Sequence, residues 1–308
     1  MHFTFCRLLV VLLLAGVTFS GVTAQEATTK EAKEKMVENA EMLAKQKRQD
    51  AKEKQLKALP ARVEPDQARW YAHYKKQPNI LKPSDQLLNE DSEPGIKDGF
   101  VDLFNGKDLT GWTPKGGTCT FEVIDGNIVG TCLKGAKSTY LCTDKNDYQD
   151  FIFTCEMKWE VDGNSGVMFR SKIKPNKKAK EDTNVTKVVY GPQVEMEEFE
   201  KGRFWSGGVY GQSCGGYFYP LWLKEHVKTR TAMKKDSWNR LTISAKGDVV
   251  KTWVNGVPMA HWVDAKNEYP KGYFGLQIHS GKKGKILFRN LKVKEFKTME
   301  VPAVENVE

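Results

Sequence analysis

Metal-binding and nucleotide-binding signatures are what this 308-residue chain has least of. Its 6 cysteines and 5 histidines form no close pair at zinc-ligand spacing, which excludes a zinc site of the finger or ribbon kind. A glycine-rich nucleotide loop is also missing, so any nucleotide-dependent redox step belongs to another protein. Beyond the N-terminus no run approaches the ~20 apolar residues of a spanning helix. Lys and Arg outnumber Asp and Glu by 48 to 39, a formal charge of +9, yet no nucleic-acid motif accompanies them. The lysines concentrate in the N-terminal segment and in one loop, Lys172 to Lys180, where solvated charge is favoured over a polyanion site.

Residues 1–24 read as a secretory signal: Arg7 is the positive start, Leu8 to Leu14 the short apolar run, and Val22-Thr23-Ala24 a small-residue cleavage site. A membrane anchor is the alternative, disfavoured by its short apolar run. The mature protein is expected to be exported, periplasmic or extracellular, with no membrane span. Segment 25–59, almost wholly Lys, Glu, Ala and Gln, is expected to be a charged helix or a tether. The Pro-punctuated segment 60–97 carries Trp70, Tyr71 and Tyr74 and reads equally as a strap on the main domain or a linker.

From about residue 98 to 297, short runs rich in Val, Ile, Phe, Tyr and Trp recur between Gly, Asn and Asp turns. Many short strands without intervening helices predict one all-β domain, an antiparallel sandwich, followed by a tail at 298–308. Asp125-Gly126 marks a two-residue hairpin. Pairing outward from that turn sets Cys119 opposite Cys132, with Cα atoms about 4.5 to 5.5 Å apart, so a disulfide is expected in an oxidising compartment. Cys142 with Cys155 is a weaker pairing, and Cys214 is left over.

One strand stands out for its polar face. Through Gly191-Pro192-Gln193-Val194-Glu195-Met196-Glu197, a period of two sends Gln193, Glu195 and Glu197 to one side and Val194 and Met196 to the core. Such a face is either a wall in water or the floor of a groove. The same alternation puts Gln277 and His279 together, opposite Leu276 and Ile278.

Phe100-Val101-Asp102-Leu103-Phe104-Asn105-Gly106-Lys107-Asp108-Leu109-Thr110-Gly111-Trp112 resembles the opening signature of the 3-keto-disaccharide hydrolase domain family. Asn164-Ser165-Gly166 with Phe169-Arg170, Gly208-Val209-Tyr210-Gly211, Trp238-Asn239, Val254-Asn255-Gly256, and Leu276-Gln277-Ile278-His279 leading to Phe288-Arg289-Asn290 follow in that family's order, over roughly 98–296. The resemblance implies a concanavalin A-like jelly roll, export, and cleavage of glycosides oxidised at C3. It also implies partnership with a sugar 3-oxidoreductase. Many members read Gly-x-Glu-x-Gln at the central strand; here the amide and the first carboxylate have traded places while keeping one face.

A ketone at C3 acidifies the C2 proton, so a base can remove it and let the C1 substituent leave before water adds back. For this chemistry Glu195 is the candidate base, with Glu197 raising its pKa by like-charge repulsion. His279 is the candidate donor to the leaving oxygen, histidine being the side-chain type that ordinarily titrates near neutrality. Arg170 is placed either at the enolate or in an ion pair with Glu195. Asn164, Gln193, Tyr210 and Gln277 are candidate sugar-binding residues. Each has a bland alternative: strand carboxylates often face water, and Asn164 and Tyr210 sit beside turn glycines. No cofactor is expected; a divalent cation such as calcium on Glu195, Glu197, Glu198 and His279 is left open. The functional readings are a secreted 3-keto-glycoside hydrolase or lyase, a non-catalytic carbohydrate-binding module, or an envelope interaction protein working through its charged helix.

Overall fold

The computed structural model describes residues 22–197 and 199–296. Residues 1–21 of the expected signal segment and the expected tail 298–308 lie outside the described residues. Two compact units divide at Ala58 and Leu59. Among its described residues the first is a single helix, α1 (Val22–Lys57), built from residue types of high helix propensity, on which Met36, Val37, Met42 and Leu43 are exposed. Among the described residues no helix is long and apolar enough to cross a membrane.

The second unit opens with the short helix α2 (Ala68–Tyr74) and continues in strands. These are β1 (Leu87–Leu88), β2 (Val101–Asp102), β3 (Trp112–Lys115), β4 (Thr120–Ile124), β5 (Asn127–Thr131) and β6 (Thr139–Thr143). Three long strands follow: β7 (Phe151–Val161), β8 (Ser165–Lys174) and β9 (Val188–Met196). Then come β10 (Val209–Gln212), β11 (Gly216–Tyr219), β12 (Asn239–Lys246), β13 (Val249–Val254), β14 (Val257–Val263), β15 (Tyr273–Ile278) and β16 (Lys285–Glu295).

They form two antiparallel sheets. One runs β1-β14-β13-β12-β7-β16-β5-β4, with β2 also paired to β16; the other runs β11-β10-β9-β8-β15-β6-β3. This is the all-β antiparallel sandwich with a charged N-terminal helix that the sequence predicts. Strand alternation explains why the sheets pack. Phe151, Phe153, Cys155, Met157 and Trp159 of β7 point inward and are buried, while Glu156 and Lys158 between them are only half-buried. Opposite them, Val167 and Phe169 of β8, Val194 and Met196 of β9, and Phe274, Leu276 and Ile278 of β15 complete the core. Phe153 and Phe274 stack across the layers with ring centroids 4.6 Å apart.

The hairpins follow their turn chemistry. Ile124 pairs with Asn127 around Asp125 and Gly126, whose φ values of 50° and 72° are those a type I′ turn requires. Continuing that register, Thr120 pairs with Thr131, which leaves the buried Cys119 and Cys132 next in line, both as thiols in this structure.

Segment 60–97 packs against the sandwich. Tyr71 meets Trp222 edge to face at 4.9 Å, and Tyr74 packs on Tyr217 at 5.0 Å. Val63 bridges Leu223, and β1 adds to the edge of β14. Glu93 completes the attachment by pairing with Arg240 and accepting a bond from the Thr242 hydroxyl at 2.6 Å.

Candidate active site

Because Val194 and Met196 are drawn into the core, Gln193 and Glu195 lie on the outer face of the seven-stranded sheet. Neighbouring strands bring the rest of that face to them by register. Gly166 of β8 sits opposite Glu195, Tyr210 of β10 opposite Gln193, and Tyr140 of β6 opposite Gln277 of β15. A line of amides results. The Gln193 Nε2 group donates to Gln277 Oε1 at 2.7 Å, and Gln277 Nε2 in turn donates to the Tyr140 hydroxyl at 3.1 Å and Gln212 Oε1 at 3.4 Å.

Glycine makes this line feasible. A Cβ on Gly166 would stand 2.0 Å from Gln193 Nε2, so the amide lies flat on the backbone there. Gln193 Oε1 is buried with no protein partner, an acceptor that a ligand or solvent donor would satisfy.

Glu195 occupies one end of the line. Its residue is 5% exposed and its carboxylate accepts a hydrogen bond from the Asn164 side chain. Burial, and then the negative charge of Glu197, push its pKa up from 4.5 to about 7, against the opposing pull of Arg203, Lys201 and the Asn164 bond. Such a carboxylate is half-ionised at neutrality, the condition in which a general base works best. Asn164, Lys201 and Tyr210 around it are half-buried. Burial, with the charge of Glu195, also raises the Tyr210 phenol, keeping it a hydrogen-bond donor at neutral pH.

Glu197 belongs to the support rather than to the face. It stands just beyond β9, 2% exposed, and its oxygens take Arg203 Nε at 2.7 Å, Arg203 Nη2, the Trp205 backbone N–H at 3.0 Å and the Tyr217 hydroxyl at 3.2 Å. With four donors on it, the carboxylate has no room for a ligand, which corrects its expected place on the polar face beside Gln193 and Glu195. Its negative charge is one of the causes that raise the Glu195 pKa. Arg203 reaches on to the Tyr74 hydroxyl at 2.6 Å, tying the strap to the site, and lies over Trp205 and Tyr217.

Arg170 is a second correction. A bulge between Met168 and Lys172 and a φ of +45° turn it out of the alternation. Its buried guanidinium donates to Gln149 O at 2.7 Å, Gly247 O at 2.8 Å and Asp150 Oδ1 at 3.1 Å, meeting neither Glu195 nor the polar face. It ties two loops together. His279 lies one residue past the end of β15, exposed, with its backbone N–H on Asn164 O at 3.2 Å and its Nδ1 against Ser280 O at 2.7 Å. It stands beside Asn164 at the rim, linked to the Glu195 end through backbone.

Of the residues considered for calcium, Glu198 lies outside the described residues and Glu197 is bound to Arg203. Among the described residues no three His, Cys, Asp or Glu side chains gather to hold a metal ion. Sequence reasoning missed Arg203, Tyr74, Tyr140, Gln212 and Tyr217. Only Arg203 left a signal: a carboxylate at the end of a buried strand demands a cation nearby.

A family model described as a 3-keto-alpha-glucoside-1,2-lyase-like domain matches residues 99–294. No curated protein matches the chain in sequence. Among solved structures, a candidate glycosyl hydrolase from Parabacteroides distasonis ATCC 8503 is 20% identical, with a TM-score of 0.45, covering 67% of this chain and 100% of that one. A protein of unknown function with a galectin-like fold from Bacillus subtilis gives 15% identity and a TM-score of 0.47, covering 67% and 98%. The carbohydrate binding module CBM66 from Bacillus subtilis gives 16% and 0.40, covering 60% and 96%.

Proposed function

The chain belongs to the 3-keto-alpha-glucoside-1,2-lyase-like domain family through residues 99–294, and on that premise we propose that it cleaves 3-keto-glycosides by eliminating the C1 substituent across the C1–C2 bond. Glu195 takes the C2 proton. The electron pair left on C2 forms the C1–C2 double bond as the C1–O bond breaks, and the departing oxygen is protonated. Water then adds its oxygen to C1 and a proton returns to C2, so the net result is hydrolysis. If the enone leaves first, the same site acts as a lyase.

The observation that carries this reading is the Glu195 carboxylate, buried at the end of a polar face with its pKa raised to about 7. An ordinary surface carboxylate is a weaker base; this one gains basicity from burial and from Glu197 while staying hydrogen-bonded to Asn164. In this reading the unpartnered Gln193 Oε1 accepts from a sugar hydroxyl, held in orientation by the bond from Gln193 Nε2 to the Gln277 amide. Tyr210, protonated and half-buried near Glu195, or His279 at the rim donates in this reading to the leaving oxygen. Export through the N-terminal signal and supply of the keto sugar by a separate 3-oxidoreductase complete the proposal.

Matched disaccharides, one native and one oxidised at C3, test it. Release of reducing sugar from the keto form alone supports the enzyme. Binding of both forms with release from neither would make the protein a carbohydrate-binding module instead.

A further inference from the structure

Beyond the amide line the same face leads into a cavity of about 720 Å³. Tyr140 and Gln212, the two residues that receive the Gln277 amide, are part of its wall. Val189, six residues from Glu195 along β9, lies at its floor, about 20 Å away at the rise of a strand. That distance exceeds a single sugar ring, so the cavity faces a part of the ligand remote from the bond at Glu195.

Charge sets the cavity apart. Lys137, Lys178 and Lys180 line it, exposed, and form none of the ion pairs found among the described residues. Lys187 is also in the wall but is matched by Asp182 at 2.7 Å. One carboxylate, Glu181, opposes the three lysines. The loop that carries Lys178 and Lys180 is held in place. Asn176 Oδ1 accepts the Lys178 backbone N–H at 3.0 Å, Thr183 and Thr186 cap each other, and Gly116 N–H donates to Asn184 O at 2.9 Å, pinning the loop to the end of β3. Three lysines without ion pairs, gathered around a hollow continuous with the amide line, differ from lysines scattered in solvent, the reading that sequence alone favoured for this loop.

We infer that this cavity is a subsite for an anionic saccharide unit, a uronate or a sulfated sugar, in the part of the substrate away from the cleaved bond. As an extension of the substrate site it rests on the function proposed above. A carboxylate or sulfate there meets several lysines at once, in a partly screened hollow rather than in open solvent.

Calorimetric titration of the mature full chain with three unoxidised disaccharides tests this: one neutral, one bearing glucuronic acid, one sulfated. Binding of at least one anionic sugar about tenfold tighter than the neutral one is expected at low ionic strength, with the advantage shrinking as salt rises. Which of the two shows it distinguishes uronate from sulfate. The triple variant Lys137→Ala, Lys178→Ala, Lys180→Ala should lose that advantage while binding the neutral sugar unchanged. Equal affinity for charged and neutral sugars, or a preference that survives in the triple variant, overturns the inference. Inorganic sulfate binding as tightly as the sulfated sugar would mean an adventitious ion only, and overturns it too. Turnover is read separately with a neutral 3-keto-disaccharide. Turnover without anion preference removes the subsite and leaves the function; anion preference without turnover does the reverse.

Discussion

Replacing Glu195 by Gln should make the protein more stable, and increasingly so as the pH rises. In the folded chain burial and Glu197 hold the Glu195 pKa near about 7, whereas the same group titrates at 4.5 when unperturbed. Between those values the unfolded chain has released a proton that the folded chain keeps, so wild-type stability falls as pH climbs through this window. Above the folded pKa the full difference applies, on the order of 3 kcal/mol at 1.36 kcal/mol per pKa unit. Gln keeps the shape and the hydrogen-bonding capacity toward Asn164 but has no charge to desolvate. Urea unfolding of both proteins at pH 5 and pH 8.5 gives the difference directly, with titrating groups remote from Glu195 cancelling between them. Less than about 1 kcal/mol is expected at pH 5 and about 3 at pH 8.5. A difference that is the same at both pH values would show that the carboxylate is not perturbed, and the case for Glu195 as a base near neutrality would fall with it.

Turnover should rise with pH through about 7 and then level, since Glu195 must be ionised to accept the C2 proton; a rate flat from pH 5 to 9 would exclude it as the base. Substituting Gly166→Ala drives a methyl group into the Gln193 amide, 2.0 Å away, so sugar binding should weaken together with a stability loss of about 1–3 kcal/mol, read by calorimetry and urea unfolding. Arg203→Ala leaves Glu197 buried without its cation and should cost about 3–5 kcal/mol; an unchanged unfolding midpoint would show the pair to be dispensable. In an oxidising buffer Cys119 and Cys132 should join, seen as a peptide cross-link in non-reducing mass spectrometry and worth about 3 kcal/mol for a loop of this length.

Regular alternation is what made the core legible. Strand β9 kept its period, so the outward placing of Gln193 and Glu195 follows from counting residues, and the hairpin at Asp125 and Gly126 follows from its turn residues. Counting failed where the backbone departs from the period. The bulge in β8 carries Arg170 to the loops at Gln149 and Gly247, and β9 ends one residue before Glu197. Around Glu195 the sequence signals the need for a cation but not which residue supplies it or what holds that residue. Arg203 comes from a loop, and Tyr74 arrives from a helix more than a hundred residues earlier in the chain, so no local pattern joins them to the strand they support. Long-range packing, not propensity, decides such partners.

The most direct test of the proposed elimination is the rate of sugar release from a 3-keto-disaccharide carrying deuterium at C2, compared with the undeuterated compound. Slower release from the deuterated substrate, with the label lost to solvent in the product, is the result expected if Glu195 removes the C2 proton. Equal rates, with deuterium retained at C2, would show that the C1–O bond breaks without touching C2 and would contradict the mechanism.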